Sequence, residues 1–126
     1  MKYIYLLLFT LTIAACQVDF HSDFCDAIVH DESQFVKQYI DDILWDLPPI
    51  YDGYDPIGHL LNLETLVAEL NRDRCVDAVI NCYACVGTIP PQSELHVIID
   101  DGTYFAERII IIATPWDGPM YFVGMY

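Results

Sequence analysis

Two periods run through the apolar positions of this chain. Between residues 35 and 44 they recur three and four apart. Phe35, Val36, Tyr39, Ile40, Ile43 and Leu44 fall on one side of a helix, with Lys37, Gln38, Asp41 and Asp42 on the other. Asp31 is placed to cap this helix, and Gln34, three residues later, to complete a capping box. Pro48-Pro49 ends it. Residues 46–58 carry proline, Asp-Gly and Asp-Pro, all turn formers, and read as a loop. A second helix is expected with Asn62 as its cap and Leu63, Leu66, Val67 and Leu70 at helical spacing. Such a short helix does not hold in water by propensity, so its apolar side must pack on something.

Beyond residue 75 the pattern turns to strands. Residues 76–84, 94–100, 105–114 and 120–126 read as four of them. Asp100-Asp101-Gly102 is a hairpin turn, and residues 114–119 form another. Short links between consecutive strands favour an antiparallel meander. The expected fold is therefore α+β, with two N-terminal helices packed on one face of a four-stranded antiparallel sheet. That order of elements is similar to the helix-loop-helix-plus-sheet fold of β-lactamase inhibitor proteins and of small outer-membrane assembly lipoproteins. No motif residues are shared, so the likeness carries no function.

Strand parity suggests which face is used. With Leu95, Val97 and Ile99 turned to the helices, Val79, Tyr83, Ile98, Ile110 and Ile112 are expected on the opposite face. The run Ile109 to Ile112 is what a strand buried on both faces looks like. Either the N-terminal segment or the 46–58 loop covers that second face, the reading favoured here, or it stays open as an apolar patch for a partner protein.

The first fifteen residues follow neither period. A short basic start precedes an apolar stretch, residues 4–13, that is shorter than the ~20 residues a spanning helix needs. Small residues follow and then Cys16, so the stretch reads as an export signal. Ile13-Ala14-Ala15-Cys16 resembles the lipobox of bacterial lipoproteins, with Ile where the family pattern more often has Leu. The resemblance covers the first sixteen residues only. It implies cleavage before Cys16, a diacylglycerol on its sulfur, and attachment through several acyl chains, which hold a protein stably where one does not. Gln17 differs from the Asp that resembles an inner-membrane retention signal, which points to the outer membrane, periplasmic or surface side. Residues 16–30, polar and acidic, then read as a tether to a single domain over 31–126.

Removing residues 1–15 leaves Lys37, Arg72, Arg74 and Arg108 against nineteen acidic side chains. Nucleic acid is excluded as a partner class, since phosphate binding needs clustered Lys and Arg. Docking on anionic lipid by charge is disfavoured for the same reason. Aromatic and β-branched residues are plentiful after residue 35, enough for a packed core.

Five cysteines is an odd number, and lipidation of Cys16 leaves an even set: Cys25, Cys75, Cys82 and Cys85. In an oxidising compartment these are disulfide candidates, with three possible connectivities; pairing of Cys25 with the strand region would pin the tether to the sheet. Cys82 and Cys85 have the spacing of a thiol–disulfide site, but no helix follows them to lower a thiol pKa. While the chain is extended their Cα atoms lie about 10 Å apart, beyond the roughly 7 Å limit for a disulfide, so a turn must begin inside the motif to join them. His21, Asp23, Cys25, Asp26 and His30 are ligand types without a metal-site spacing, and no metal or other cofactor is expected. Asp46, Asp52 and Asp55 read as turn formers. No nucleophile elbow, phosphate loop or zinc-protease helix is present in the sequence. These features point to a non-enzymatic, lipid-anchored envelope protein whose apolar sheet face, or the Pro/Tyr-rich residues 47–58, meets a protein partner. The alternative is an envelope thiol–disulfide oxidoreductase using Cys82 and Cys85.

Overall fold

The computed structural model of the chain describes residues 23–48, 56–100, 102–115 and 118–126. Among the described residues three helices precede four strands: α1 Asp23–Val29, α2 Ser33–Trp45, α3 Pro56–Leu70, β1 Val76–Val86, β2 Gln92–Asp100, β3 Phe105–Ala113 and β4 Tyr121–Met125. The strands pair antiparallel in chain order, an open meander β1-β2-β3-β4. The α+β class holds, and the described helices number three where two were expected.

The additional helix lies in the stretch that reads as a tether. Phe24, Cys25, Ala27 and Ile28 of α1 are buried in the core, so the domain begins by residue 23. Seven residues do not make a stable helix alone, and three contacts hold this one. A disulfide joins Cys25 to Cys75, just before β1, with a Cα–Cα distance of 6.5 Å. The Arg108 guanidinium of β3 donates to the carbonyls of Ile28 (3.2 Å) and Val29 (3.4 Å), placing a cation at the negative end of the helix. Asp31 then reverses the chain at φ 57°, while the Glu32 N–H bonds Ala27 O and the Asp31 N–H bonds Ile28 O. Asp31 therefore ends α1 and does not cap α2. The residue before α2 is Glu32, and it makes no side-chain cap.

Helix α2 buries Val36, Ile40 and Leu44, one turn apart, and leaves Phe35 exposed at the rim of the expected stripe. Its solvent side carries Lys37–Asp41 and Gln38–Asp42 pairs at 2.7 and 2.8 Å. Helix α3 starts six residues ahead of the expected cap, at Pro56, where the missing N–H leaves no helical bond unmade. Asn62 sits inside it and donates to Pro48 O at 3.0 Å, tying α3 to the chain that leaves α2. Leu63, Leu66 and Leu70 are buried as the spacing predicts, and His59 joins them.

Register shows which strand residues share a face. The rows Val76–Ile99–Ala106, Ala78–Val97–Arg108, Ile80–Leu95–Ile110–Met125 and Ser93–Ile112–Phe122 belong to one face. The buried members of these rows, Ser93 aside, form a single core cluster with the buried residues of all three helices. Tyr39 of α2 stacks on Phe24 of α1 at a ring separation of 4.6 Å. Burial raises the Tyr39 hydroxyl pKa above its ordinary value, and Asp73 and Glu69 add to the effect.

Closing a loop of 50 residues restricts the unfolded chain far more than closing one of three. Replacing Cys25 and Cys75 by alanine should lower the unfolding free energy by about 4 kcal/mol, and replacing Cys82 and Cys85 by about half as much or less. Urea unfolding of the two double variants checks this; equal losses would show that loop closure is not what the first bond contributes.

Candidate functional site

The opposite face of the sheet has its own rows: Asp77–Ile98–Glu107, Val79–His96–Ile109, Cys82–Glu94–Ile111–Gly124 and Gln92–Ala113–Tyr121. Tyr126 lies opposite Ile109 through two backbone bonds, and its ring packs beside Gly124. Val79 is 50 % exposed, Tyr121 and Val123 are similarly open, and Ile98 and Ile109 are half-buried. In the middle, His96 Nε2 and Glu107 Oε1 lie 2.6 Å apart on a diagonal between β2 and β3. No described helix packs on this face.

Of the five residues expected here, Val79 and Ile98 are in place. Ile110 and Ile112 are not: both are fully buried on the helix side, opposite Leu95 and Ser93. Tyr83 also packs against the core. The expectation for β3 set Arg108, with its even-numbered neighbours, on the side away from the helices. Arg108 in fact points toward α1, whose end it caps, and the parity of the whole strand follows it. Ile109 and Ile111 take the outer positions instead. Tyr83 departs because β1 bulges, as set out below. Cys16 and most of residues 47–58 lie outside the described residues, as does the N-terminal segment up to residue 22, while residues 23–29 pack on the helix side and not on this face.

One residue on each edge strand of the sheet is bonded by a helix-side group. On β1, the Ala78 N–H donates to Asn71 Oδ1 at 2.7 Å and Asn71 Nδ2 donates to Ala78 O at 2.9 Å. One amide thus stands in for a residue of a neighbouring strand. On β4, the Phe122 N–H donates to Asp41 Oδ1 at 2.8 Å. Unpaired edge groups of this kind invite strand addition, and side-chain caps suppress it.

The Cys82–Cys85 motif occupies the irregular end of β1. Asn81 is an extra residue between the pairs Ile80–Leu95 and Cys82–Glu94, and four steps of β1 from Cys82 to Val86 then run against two of β2. Ala84 adopts φ 48° within this arch, and its N–H donates to the buried Ser93 hydroxyl at 2.7 Å. The arch is the turn that an extended reading lacks. It brings the two Cα atoms to 5.8 Å, and a disulfide joins Cys82 and Cys85. Both disulfides thus use the four expected cysteines, with Cys25 paired to the head of the strand region. Cys82 is half-buried and Cys85 exposed. Glu94, opposite Cys82 in register, places Oε2 3.8 Å from Cys85 Sγ. Nothing in the sequence spacing marks Glu94, because two bulges separate its strand position from simple counting.

A separate apolar cleft of about 390 Å³ opens between the ends of α2 and α3 and the chain entering β4, lined by Leu44, Trp45, His59 and Met120 among others. His59 Nε2 is 3.2 Å from Gly118 O, a structural contact for a buried ring. The histidines and carboxylates of residues 23–30 form no metal-ligating group among the described residues; the single group is Cys82, Cys85 and Glu94. No described helix is long and apolar enough to cross a membrane. Comparison of the chain with protein-family models, curated proteins and solved structures finds no match.

Asn71→Ala removes both bonds to Ala78 and should cost about 2 kcal/mol at about 1 kcal/mol per bond. It should also make the domain self-associate as concentration rises. Sedimentation at several concentrations checks the second effect; a strictly monomeric Asn71→Ala variant would show that this cap does not guard the edge.

Proposed function

We propose that this protein is a non-enzymatic, lipid-anchored interaction module of the bacterial cell envelope, attached through Cys16 at the outer membrane. The observation that carries the reading is the sheet face turned away from the helices. It offers a mixed apolar and aromatic surface around the His96–Glu107 pair, open at Val79, Tyr121 and Tyr126, while Ile111 and Ala113 of the same face are buried. The side-chain bonds to Ala78 and Phe122 work against strand addition at those points of the edges and favour contact through the face. Aromatic side chains such as Tyr121 and Tyr126 suit such a contact. The acidic surface favours a partner with basic groups at the rim. The anchor rests on residues 13–16 and their resemblance to a lipobox.

The oxidoreductase reading has one observation in its favour, the exposure of Cys85. Two others weigh against it. The motif runs on in strand and loop with no helix N-terminus to stabilise a thiolate. The Glu94 carboxylate 3.8 Å away opposes a second negative charge. Failure of the purified domain to turn over a model dithiol catalytically, beyond one stoichiometric exchange, eliminates this reading.

Two measurements test the main proposal. Cells fed labelled palmitate should label the protein, and Cys16→Ser should abolish the label; a labelled Cys16→Ser chain would refute the anchor. A photo-crosslinking side chain at Val79 should give a discrete adduct in intact cells, while the same group at Glu64, on the solvent side of α3, should not. Equal adducts at both positions, or none at either, would count against the sheet face.

A further inference from the structure

The Cys82–Cys85–Glu94 cluster is not used by the interaction reading, and its geometry has a chemistry of its own. One ligand atom from each residue lies within 4.8 Å of the other two. A tetrahedral zinc ion with Zn–S about 2.3 Å and Zn–O about 2.1 Å has an S–O edge of about 3.6 Å and an S–S edge of about 3.8 Å. The Cys85 Sγ to Glu94 Oε2 distance, 3.8 Å, is already close to the first. The Cα separation of 5.8 Å allows the two sulfurs to reach the second by side-chain rotation once the bond between them is open.

The arch has other supports besides that bond. The pairs Cys82–Glu94 and Val86–Gln92 flank the arch, and the buried Ser93 hydroxyl holds Ala84 in the middle of it. The strand ladder fixes Cys82 and Glu94 opposite each other, and the arch carries Cys85 beside them. Access also separates the two disulfides. Cys25 and Cys75 are 1 % and 5 % exposed inside the core, whereas Cys85 stands at the surface, open to an attacking thiolate.

We propose that Cys82, Cys85 and Glu94 form a redox-gated site for one zinc-class divalent cation, closed while the disulfide is intact and open once it is reduced. A dithiol reductant supplies two electrons and two protons to the Cys82–Cys85 bond and becomes a disulfide itself. The two thiols release two protons as the cation binds to both sulfurs and to the Glu94 carboxylate. Two thiolates select a borderline or soft cation over magnesium or calcium. The fourth position faces solvent on the Cys85 side and takes water. His96 lies two residues along the same strand face but is engaged by Glu107, and it is not a ligand in this site. The inference is independent of the lipid anchor and of any partner.

The test uses the intact folded chain. Limiting phosphine reduces it, gel filtration under nitrogen removes the reductant, and alkylation with mass mapping identifies the free thiols. Zinc and then cobalt are titrated into the oxidised and reduced forms. The expected result is opening of Cys82–Cys85 alone, one metal equivalent in the reduced chain and none in the oxidised one. Cobalt should give sulfur-to-metal charge-transfer absorption, and both thiols should be shielded from alkylation. Glu94→Gln should weaken binding by about tenfold or more, since loss of even a second-shell partner costs about 10- to 100-fold. Replacing Cys82 and Cys85 together by serine should abolish binding while Cys25–Cys75 keeps the chain folded. Equal uptake by the oxidised chain, unchanged affinity in Glu94→Gln, no uptake after reduction, or earlier opening of Cys25–Cys75 would each overturn the proposal.

Discussion

The placement of α1 against the inner face of the sheet is the constraint on which the rest depends. Its seven residues supply Phe24, Cys25 and Ile28 to the core, and nothing in their own propensity keeps them helical. Two long-range ties do so: a covalent bond to the head of β1 and a guanidinium from β3 on the helix's final carbonyls. The second tie also explains a charged side chain in a row otherwise made of Ala78 and Val97. Arg108 is not tolerated there in spite of its charge. It is there because a helix end needs donors.

This tie also explains where reading the sequence succeeded and where it failed. Periodicity alone was enough for α2, the core of α3 and the four strands, because each carries several apolar residues at one spacing. Helix α1 was not legible. Its stripe is a single turn long, interrupted by Asp26 and flanked by His30 and Asp31, so it has the composition of a solvated tether. The parity of β3 was not legible either: four isoleucines in a row offer no alternation, and the contact of Arg108 with the α1 carbonyls that reveals it is long-range. The arch at Cys82 was illegible for another reason: bulges are set by cross-strand hydrogen bonds, here Ala84 to Ser93, and leave little trace in local pattern.

The two faces of the sheet are built on different principles. The inner rows are aliphatic and continuous with three helices. The outer rows alternate apolar and ionisable side chains, so that Val79 neighbours His96 and Ile98 neighbours both Asp77 and Glu107. Such a pattern breaks the apolar surface of this face into small pieces. The edge contacts act in the same direction: Asn71 and Asp41 each occupy a hydrogen-bonding position, at Ala78 and Phe122, through which another strand would otherwise pair.

The early start of α1 also changes how far the domain can stray. A tether running to residue 30 would let it wander roughly 50 Å from its point of attachment, at about 3.5 Å per residue. With the helix beginning by Asp23, six residues lie between the folded body and Cys16, a length of chain that reaches at most about 25 Å. On the proposed anchorage the domain would therefore be confined to a thin layer above the bilayer, about the depth of its own diameter. It would search for partners by lateral diffusion in that layer and could not reach across the wider envelope space.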